Sequence, residues 1–245
     1  MNTSNHITIF KNADALSEAA CKFIIDTAKR SIEERGKFVI ALSGGRTPEK
    51  LFDLLAQPEF EQQMDWTRTF LFWGDERCVA TNDKRNNFYA AKFTLLNKIV
   101  VPVLNVHPIP VDLSPVNAAF AYEKTIKQFF GEEEQRFDLI LLGLGENGHT
   151  ASLFPMTDVL HEQEHLVKEV YVEEQDLFRV TMTAPLINQA RNILFLVTGK
   201  EKADVLHSIF TLPHQPDTYP AQLIQPTDGK LYWYADEAAA ARVTD

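Results

Sequence analysis

The feature that most constrains this chain is a set of short strands that are apolar on both faces. Residues 37–42 (KFVIAL), 69–74 (TFLFWG), 137–143 (FDLILLG) and 192–199 (NILFLVTG) run continuously apolar instead of alternating. Strands of that kind sit in a parallel sheet covered on both sides. Helical stretches separate them. Residues 14–35 place Leu16, Ala20, Phe23, Ile24 and Ala28 near helical spacing, and Gly36 ends the run. Further helices are expected over 47–55, with Thr47 as N-cap and Pro48 at the first helical position, and over 87–96, Pro115–Phe130 and 200–210. Leu177–Met182 and Lys230–Asp236 add strands. The pattern predicts an α/β fold: a mainly parallel, twisted sheet with helices on both faces, Rossmann-like and three-layered, with a small additional α/β portion. One domain over residues 1–245 is expected. Ligands of such sheets bind beyond the C-terminal strand ends.

Charge and cysteine content narrow the function. The net charge of -10 argues against a nucleic-acid backbone or an anionic membrane as partner, but not against a small anion held by local donors. No apolar run approaches the roughly 20 residues of a bilayer span. The start, MNTSNHITIFKNADAL, has neither the basic and apolar regions of a secretory signal nor the arginines of a transit peptide. Cys21 and Cys78 form no CxxC pair, so no disulfide framework or cysteine-rich zinc site is expected. A reducing cytoplasm fits.

Four motifs follow strands. In Ser43-Gly44-Gly45-Arg46-Thr47-Pro48 a strand passes through two glycines into a helix start. The free N–H groups and positive dipole end there suit a phosphate, and Ser43 and Thr47 can add hydroxyl donors. It is not a Walker A loop, because no Gly-Lys-Ser/Thr follows. In Gly74-Asp75-Glu76-Arg77, read as an acidic turn, Arg77 offers a planar fork of donors and Asp75 can position a hydroxyl or move a proton. Residues 143–155 (GLGENGHTASLFP) frame His149 with three glycines. Gly143, Gly145 and Gly148 meet the spacing of a dinucleotide fingerprint, but Pro155 arrives too soon for its helix, so His149 is read as an acid–base group. Arg179 lies inside an apolar strand, where a cation is expensive unless it meets a ligand or partner. Lys202 lies in the first turn of a helix, where an anionic ligand would account for it. His161-Glu162-Gln163-Glu164-His165 matches the zinc motif H-E-x-x-H, but it is acidic, lacks a third ligand and is read as an exposed helix. No G-x-S-x-G elbow occurs, so a serine esterase is not expected.

In this order LSGGRTPEKLF, FWGDERCV, LLGLGENGHTASLFP, RVTMTAPLINQA and TGKEKA resemble the 6-phosphogluconolactonase family, which is grouped with the glucosamine-6-phosphate isomerases and deaminases. The resemblance runs from about Phe38 to the last strand. The deaminases typically carry an Ile-Ala-Phe-Asn-Glu-Pro type run after the His and a Met-Asp-Glu-Tyr type segment in place of WGDER. The resemblance implies hydrolysis of a sugar-phosphate lactone in the oxidative pentose phosphate pathway, without metal or organic cofactor; a monomer or homodimer is expected. It implies a phosphate set of Ser43, Gly44, Gly45, Arg46, Thr47, Arg179 and Lys202, with Arg77 a second substrate-binding cation. His149 is the implied acid–base and Asp75 lines the site. Asn147 and Gly148 belong to the substrate loop. The family usually has Asp-Gly-His where this chain has Asn147-Gly148-His149, so the imidazole is oriented without a negative charge. Arg46 stands where small residues are common. A deaminase on the same fold and a sugar-phosphate sensor without catalysis are the alternatives.

Overall fold

Each buried strand ends in a turn that carries polar groups, and the order of the strands brings those turns together. The computed structural model describes residues 6–243. The reading of a leaderless start lies, for residues 1–5, outside the described residues. In chain order the elements are β1 (His6–Phe10), α1 (Ala13–Arg35), β2 (Phe38–Leu42), α2 (Arg46–Leu55), α3 (Pro58–Glu61), β3 (Thr69–Trp73), β4 (Asp75–Arg77), α4 (Asn87–Ala91) and α5 (Pro115–Phe130). There follow β5 (Leu139–Leu142), β6 (Val167–Val172), β7 (Leu177–Met182), α6 (Ala184–Asn188), β8 (Asn192–Val197), α7 (Ala203–Thr211) and β9 (Lys230–Asp236).

Among the described residues six strands form a parallel sheet in the order β1-β9-β8-β5-β2-β3, and β4-β7-β6 form a second, antiparallel sheet. The five residues of β2 and the four of β5 are all buried, as their unbroken apolar sequence requires. From β2 the chain moves outward to β3 on one side, and later to β5 on the other. The pair β2–β5 is therefore the topological switch point, where a crevice opens at the carboxyl ends of the strands.

Helix α1 starts at Asn12, whose side chain accepts the N–H of Ala15 at 3.0 Å, and stops at Gly36 with φ 74°. Its Leu16, Ala20, Ile24 and Ala28 are buried, while Phe23 packs edge-on against Tyr232 of β9 at 4.8 Å. From α5, the buried Tyr122 hydroxyl accepts the N–H of Trp73 at 2.8 Å and donates to its carbonyl at 3.0 Å. That pair of bonds fixes the end of β3 just before Gly74 and Asp75.

Several expectations are corrected. The triplet Asp75-Glu76-Arg77 is strand β4, pairing with β7 in the register Asp75↔Thr181, Glu76↔Val180 and Arg77↔Arg179. Its acidity does not expose it, because the Glu76 carboxylate accepts the backbone N–H of Asn87 at 2.7 Å and of Phe88 at 2.8 Å. Thr47 is not the cap of α2. Gly45, at a φ of 105° open to glycine, precedes a helix that begins at Arg46, and the Thr47 hydroxyl pairs instead with that of Thr198 at 2.7 Å. The helix expected over 87–96 is α4 followed by a wider π turn, Lys92–Leu96, and that over 200–210 begins as a 3₁₀ turn, Lys200–Lys202. The H-E-x-x-H segment is not a helix. A 3₁₀ turn ends at His161, and Glu162 then accepts the N–H groups of Glu164 and His165, which turns the chain away. Strands β1 and β6 and helices α3 and α6 are additions to the elements read from the sequence.

Candidate active site

At the switch point the turn after β2, the turn after β5, strand β4 and strand β7 enclose a cleft of about 190 Å³. Ser43, Gly44, Asp75, Arg77, His149, Arg179 and Lys202 all line it. A second depression of about 440 Å³ adjoins it, lined by Gly45, Arg46, Thr47, Thr198 and Gly199, and shares Gly44 and Lys202 with the first. Arg46 is almost fully exposed there and stands 3.7 Å from Glu201. The segments that carry these groups are far apart in sequence and meet only because β2, β5 and β3 are neighbours.

The setting of His149 is specific. The Nδ1 of its ring lies 2.6 Å from Asn147 Oδ1, and its own backbone N–H donates to that same Asn147 atom at 3.2 Å. An atom that accepts from a backbone N–H is the amide oxygen, and an amide oxygen has no proton to give. Nδ1 therefore carries the ring proton, and Nε2 holds the free lone pair. The ring stacks on Phe154 at 4.0 Å, with planes 17° apart, and the Arg179 guanidinium lies 5.1 Å from the centre of the same Phe154 ring. Burial, followed by the positive charges of Arg179, Lys202 and Arg77, pushes the His149 pKa down to about 3. At neutral pH the imidazole is uncharged, with its lone pair free at Nε2.

The ring lies over Gly145. A Cβ there would stand 2.0 Å from His149 Nδ1 and 2.1 Å from its Cε1. We expect Gly145→Ala to swing the ring away and lower kcat by about a hundredfold, the effect of misplacing a reacting group by about 1 Å. KM should change little. Steady-state kinetics check this; an unchanged kcat would show that the ring has room to spare.

Cations outnumber the carboxylate. Arg77 and Arg179 face each other across the β4–β7 ladder, and each has a buried Nε without a partner among the described residues. Arg179 is buried, its Nη1 lying 3.7 Å from Asp75 Oδ2 and 3.4 Å from Ser152 Oγ, while its Nη2 donates to Gln175. Arg77 donates to the carbonyl of Arg85 at 2.6 Å. Like charges placed opposite on a ladder repel, so the arrangement is suited to an anion between them. Asp75 is buried and accepts the Ser152 hydroxyl at 2.6 Å. Ala151, just before Ser152, has the left-handed φ of 47°, which a side chain rarely adopts and which aims Ser152 at Asp75.

Ser152, Asn87, Glu76 and Phe154 escape sequence reasoning as site residues. Ser152 and Phe154 lie within the GLGENGHTASLFP motif, where one polar and one aromatic residue among small ones were the available signal. Asn87 gave none, and Glu76 was read only as part of an acidic turn: their role follows from the fit of α4 against β4.

Among the described residues no group of three or more His, Cys, Asp or Glu side chains is arranged to hold a metal ion. His161 pairs with Asp217 at 3.3 Å and His165 with Glu123 at 3.6 Å, so the two imidazoles of the zinc-like motif are engaged separately. No helix among the described residues is long and apolar enough to cross a membrane.

A cation-lined cleft at the switch point of a parallel sheet marks the ligand-binding crevice of an α/β protein, and its charge suits a small anion. The family model of glucosamine-6-phosphate isomerases/6-phosphogluconolactonase matches residues 11–233, and the chain belongs to that family. It is 39% identical over 237 residues to a 6-phosphogluconolactonase of Synechocystis, covering 95% of this chain and 96% of that one. A solved 6-phosphogluconolactonase from Trypanosoma cruzi superposes with a TM-score of 0.88 at 29% identity, covering 100% of this chain and 99% of that one. Within the family the chain thus stands with the 6-phosphogluconolactonases. A monomeric glucosamine-6-phosphate deaminase superposes at a TM-score of 0.82 and 19% identity, covering 96% of this chain and 99% of that one, which shows the shared fold alone.

Proposed function

We propose that this chain hydrolyses 6-phospho-D-glucono-1,5-lactone to 6-phospho-D-gluconate, the step after glucose-6-phosphate oxidation in the oxidative pentose phosphate pathway, by His149-assisted attack of water. The observation that carries the reading is the hydrogen bonding of His149 to Asn147, which leaves Nε2 unprotonated in a cleft lined by Arg77, Arg179 and Lys202. The substrate phosphate rests on the Ser43-Gly44-Gly45-Arg46-Thr47 turn with Arg179 and Lys202. Anchoring it there holds the lactone carbonyl beside His149. His149 Nε2 takes a proton from water as the water oxygen bonds to the carbonyl carbon. The carbonyl electrons move onto oxygen and form a tetrahedral oxyanion.

In the glycine loop the N–H of Gly145 is taken by the His149 carbonyl at 2.8 Å and that of Gly148 by the Gly145 carbonyl at 3.0 Å. Arg77, with its unpartnered Nε lining the cleft, can donate to the oxyanion. When the intermediate collapses, the bond from C1 to the ring oxygen breaks and His149 returns its proton to that oxygen. The product acid then loses a proton to solvent. Asp75, held by Ser152, lines the site and fixes Arg179.

The test is a pH-stat assay with freshly prepared lactone, corrected for spontaneous opening. Acid release accelerated in proportion to protein supports the reading. Release of ammonia from glucosamine 6-phosphate would make the chain a deaminase, and tight binding without turnover would make it a sensor.

Neither metal nor organic cofactor enters this chemistry. Full activity should survive chelator treatment and the double change His161→Ala, His165→Ala. Loss restored by added zinc would replace this mechanism with a metal-assisted one. A cytoplasmic place suits a pathway enzyme whose cysteines, Cys21 and Cys78, are unpaired. It works as a monomer or homodimer on a small-molecule lactone, with no nucleic acid or membrane partner.

A further inference from the structure

We propose that Asn87 is a specificity-determining residue, its side-chain oxygen accepting a hydrogen bond from a ring hydroxyl of the sugar lactone; this rests on the lactonase reading above. Asn87 is buried yet lines the cleft with His149, Asp75 and Arg77. Its side chain is held from one side only. Nδ2 donates to the Asp75 carbonyl at 2.9 Å and approaches Asp75 Oδ1 at 3.4 Å, which turns Oδ1 the other way. Among the described residues nothing donates to that oxygen. It lies against the Cα of Gly44, where a Cβ would come within 1.8 Å of it. Gly44 is thus needed for the space Asn87 occupies.

The backbone beneath is equally fixed. Glu76 Oε1 accepts the Asn87 N–H, and Asn86 Oδ1 accepts the Tyr89 N–H at 2.8 Å, so the start of α4 is capped from two sides. A buried amide held this firmly, with one acceptor turned to the cleft, is a built feature.

The chemistry of the other lining groups shows what it is for. Arg77, Arg179 and Lys202 only donate. They serve the phosphate and the carbonyl, and offer nothing to a hydroxyl proton. Asp75 Oδ2 already receives the Ser152 hydroxyl and faces Arg179. The sugar brings several hydroxyl groups, each with a proton to place. Asn87 Oδ1 is a neutral acceptor that takes one without cancelling the positive field that holds the phosphate. A site built to receive a hydroxyl rejects the analogue that lacks it, because its own polar atom is then left buried and unpaired.

The experiment compares the 6-phosphorylated gluconolactone with its 2-, 3- and 4-deoxy analogues on the parent, Asn87→Ala, Asn87→Ser and Gly44→Ala proteins. Each rate is corrected for uncatalysed opening, and each fold is checked by circular dichroism. The parent should use one deoxy lactone about 10- to 100-fold less efficiently than the full substrate, the cost of leaving one buried acceptor unpaired. Asn87→Ala should erase that difference while slowing the full substrate. Asn87→Ser, which shortens the side chain, and Gly44→Ala, whose Cβ would force the oxygen aside, should reduce it. If Asn87 only braces Asp75, the variants will lose the same factor on every lactone, and the proposal is overturned. A parent that treats all the deoxy lactones alike overturns it without recourse to any variant. A parent that opens none of the lactones overturns the lactonase reading and this inference together.

Discussion

Replacing His149 by Gln is expected to lower kcat/KM for the phosphorylated lactone by about 10²–10⁴-fold, the usual contribution of a positioned acid–base group. Binding of unreactive sugar phosphates should remain near the parental level, because the anchoring cations are untouched. The pH profile supplies the sharper readout. Burial and the three neighbouring cations push His149 down to about 3, so its basic form persists far below neutrality. A base with a depressed pKa loses activity only as the pH falls through that value. The acidic limb of kcat/KM, which reports the free enzyme, should therefore lie well on the acid side of an ordinary histidine. Once the phosphate dianion is bound it offsets Arg179 and Lys202, so the corresponding limb of kcat should sit at higher pH.

Asn147→Asp moves the limb in a stated direction. A carboxylate in place of the amide oxygen, 2.6 Å from Nδ1, favours the charged imidazole and raises the His149 pKa. Both limbs should then shift upward. Parental rates and profile in His149→Gln would remove His149 from the mechanism. Identical profiles for the parent and the Asn147→Asp variant would mean that position 147 shapes the turn only.

The strands of the main sheet were the most legible part of the fold. FVIAL, LILL and NILFLV are buried on both faces, and a chain of that pattern has few other places to go. Strand β4 was hidden because three charged residues argue for solvent until their partners are seen: the N–H groups of α4 for Glu76, and Ser152 for Asp75. β6 was hidden because its burial alternates only loosely, with Lys168 and Glu169 inside it. The same distinction holds in the site. His149, Asp75 and Arg77 lie in segments that follow buried strands, Arg179 is a cation inside an apolar strand and Lys202 one in the first turn of a helix, all places where polar residues are conspicuous, and the fold brings all five to one cleft. Asn87 and Glu76 act through contacts across the β4–α4 junction, and no local pattern encodes that junction. Ser152 depends on the left-handed Ala151, a conformation that residue type does not announce.

The second large effect is expected at Arg179. Arg179→Ala should raise KM and lower kcat/KM by about 30-fold or more, the range for truncating one member of a buried, hydrogen-bonded charge pair. Two consequences add. The phosphate loses a guanidinium, and Asp75 loses the cation 3.7 Å from its Oδ2, which leaves a buried carboxylate held by Ser152 and Asn87 alone. The two are separable. Arg179→Lys restores a charge but not the planar fork, so it should recover part of the stability and little of the phosphate recognition. The unphosphorylated gluconolactone isolates the anchoring role. The parent should use it far less efficiently than the phosphorylated form, and Arg179→Ala should lose much more on the phosphorylated substrate than on the plain one. The positive field around His149 also weakens when Arg179 goes, since that cation is the largest charge holding its pKa down. The acidic limb of kcat/KM should therefore move upward in Arg179→Ala, with no change at position 147. Equal losses on both lactones would assign Arg179 to holding Asp75 and β7, and equal use of both lactones by the parent would remove phosphate recognition from the mechanism altogether.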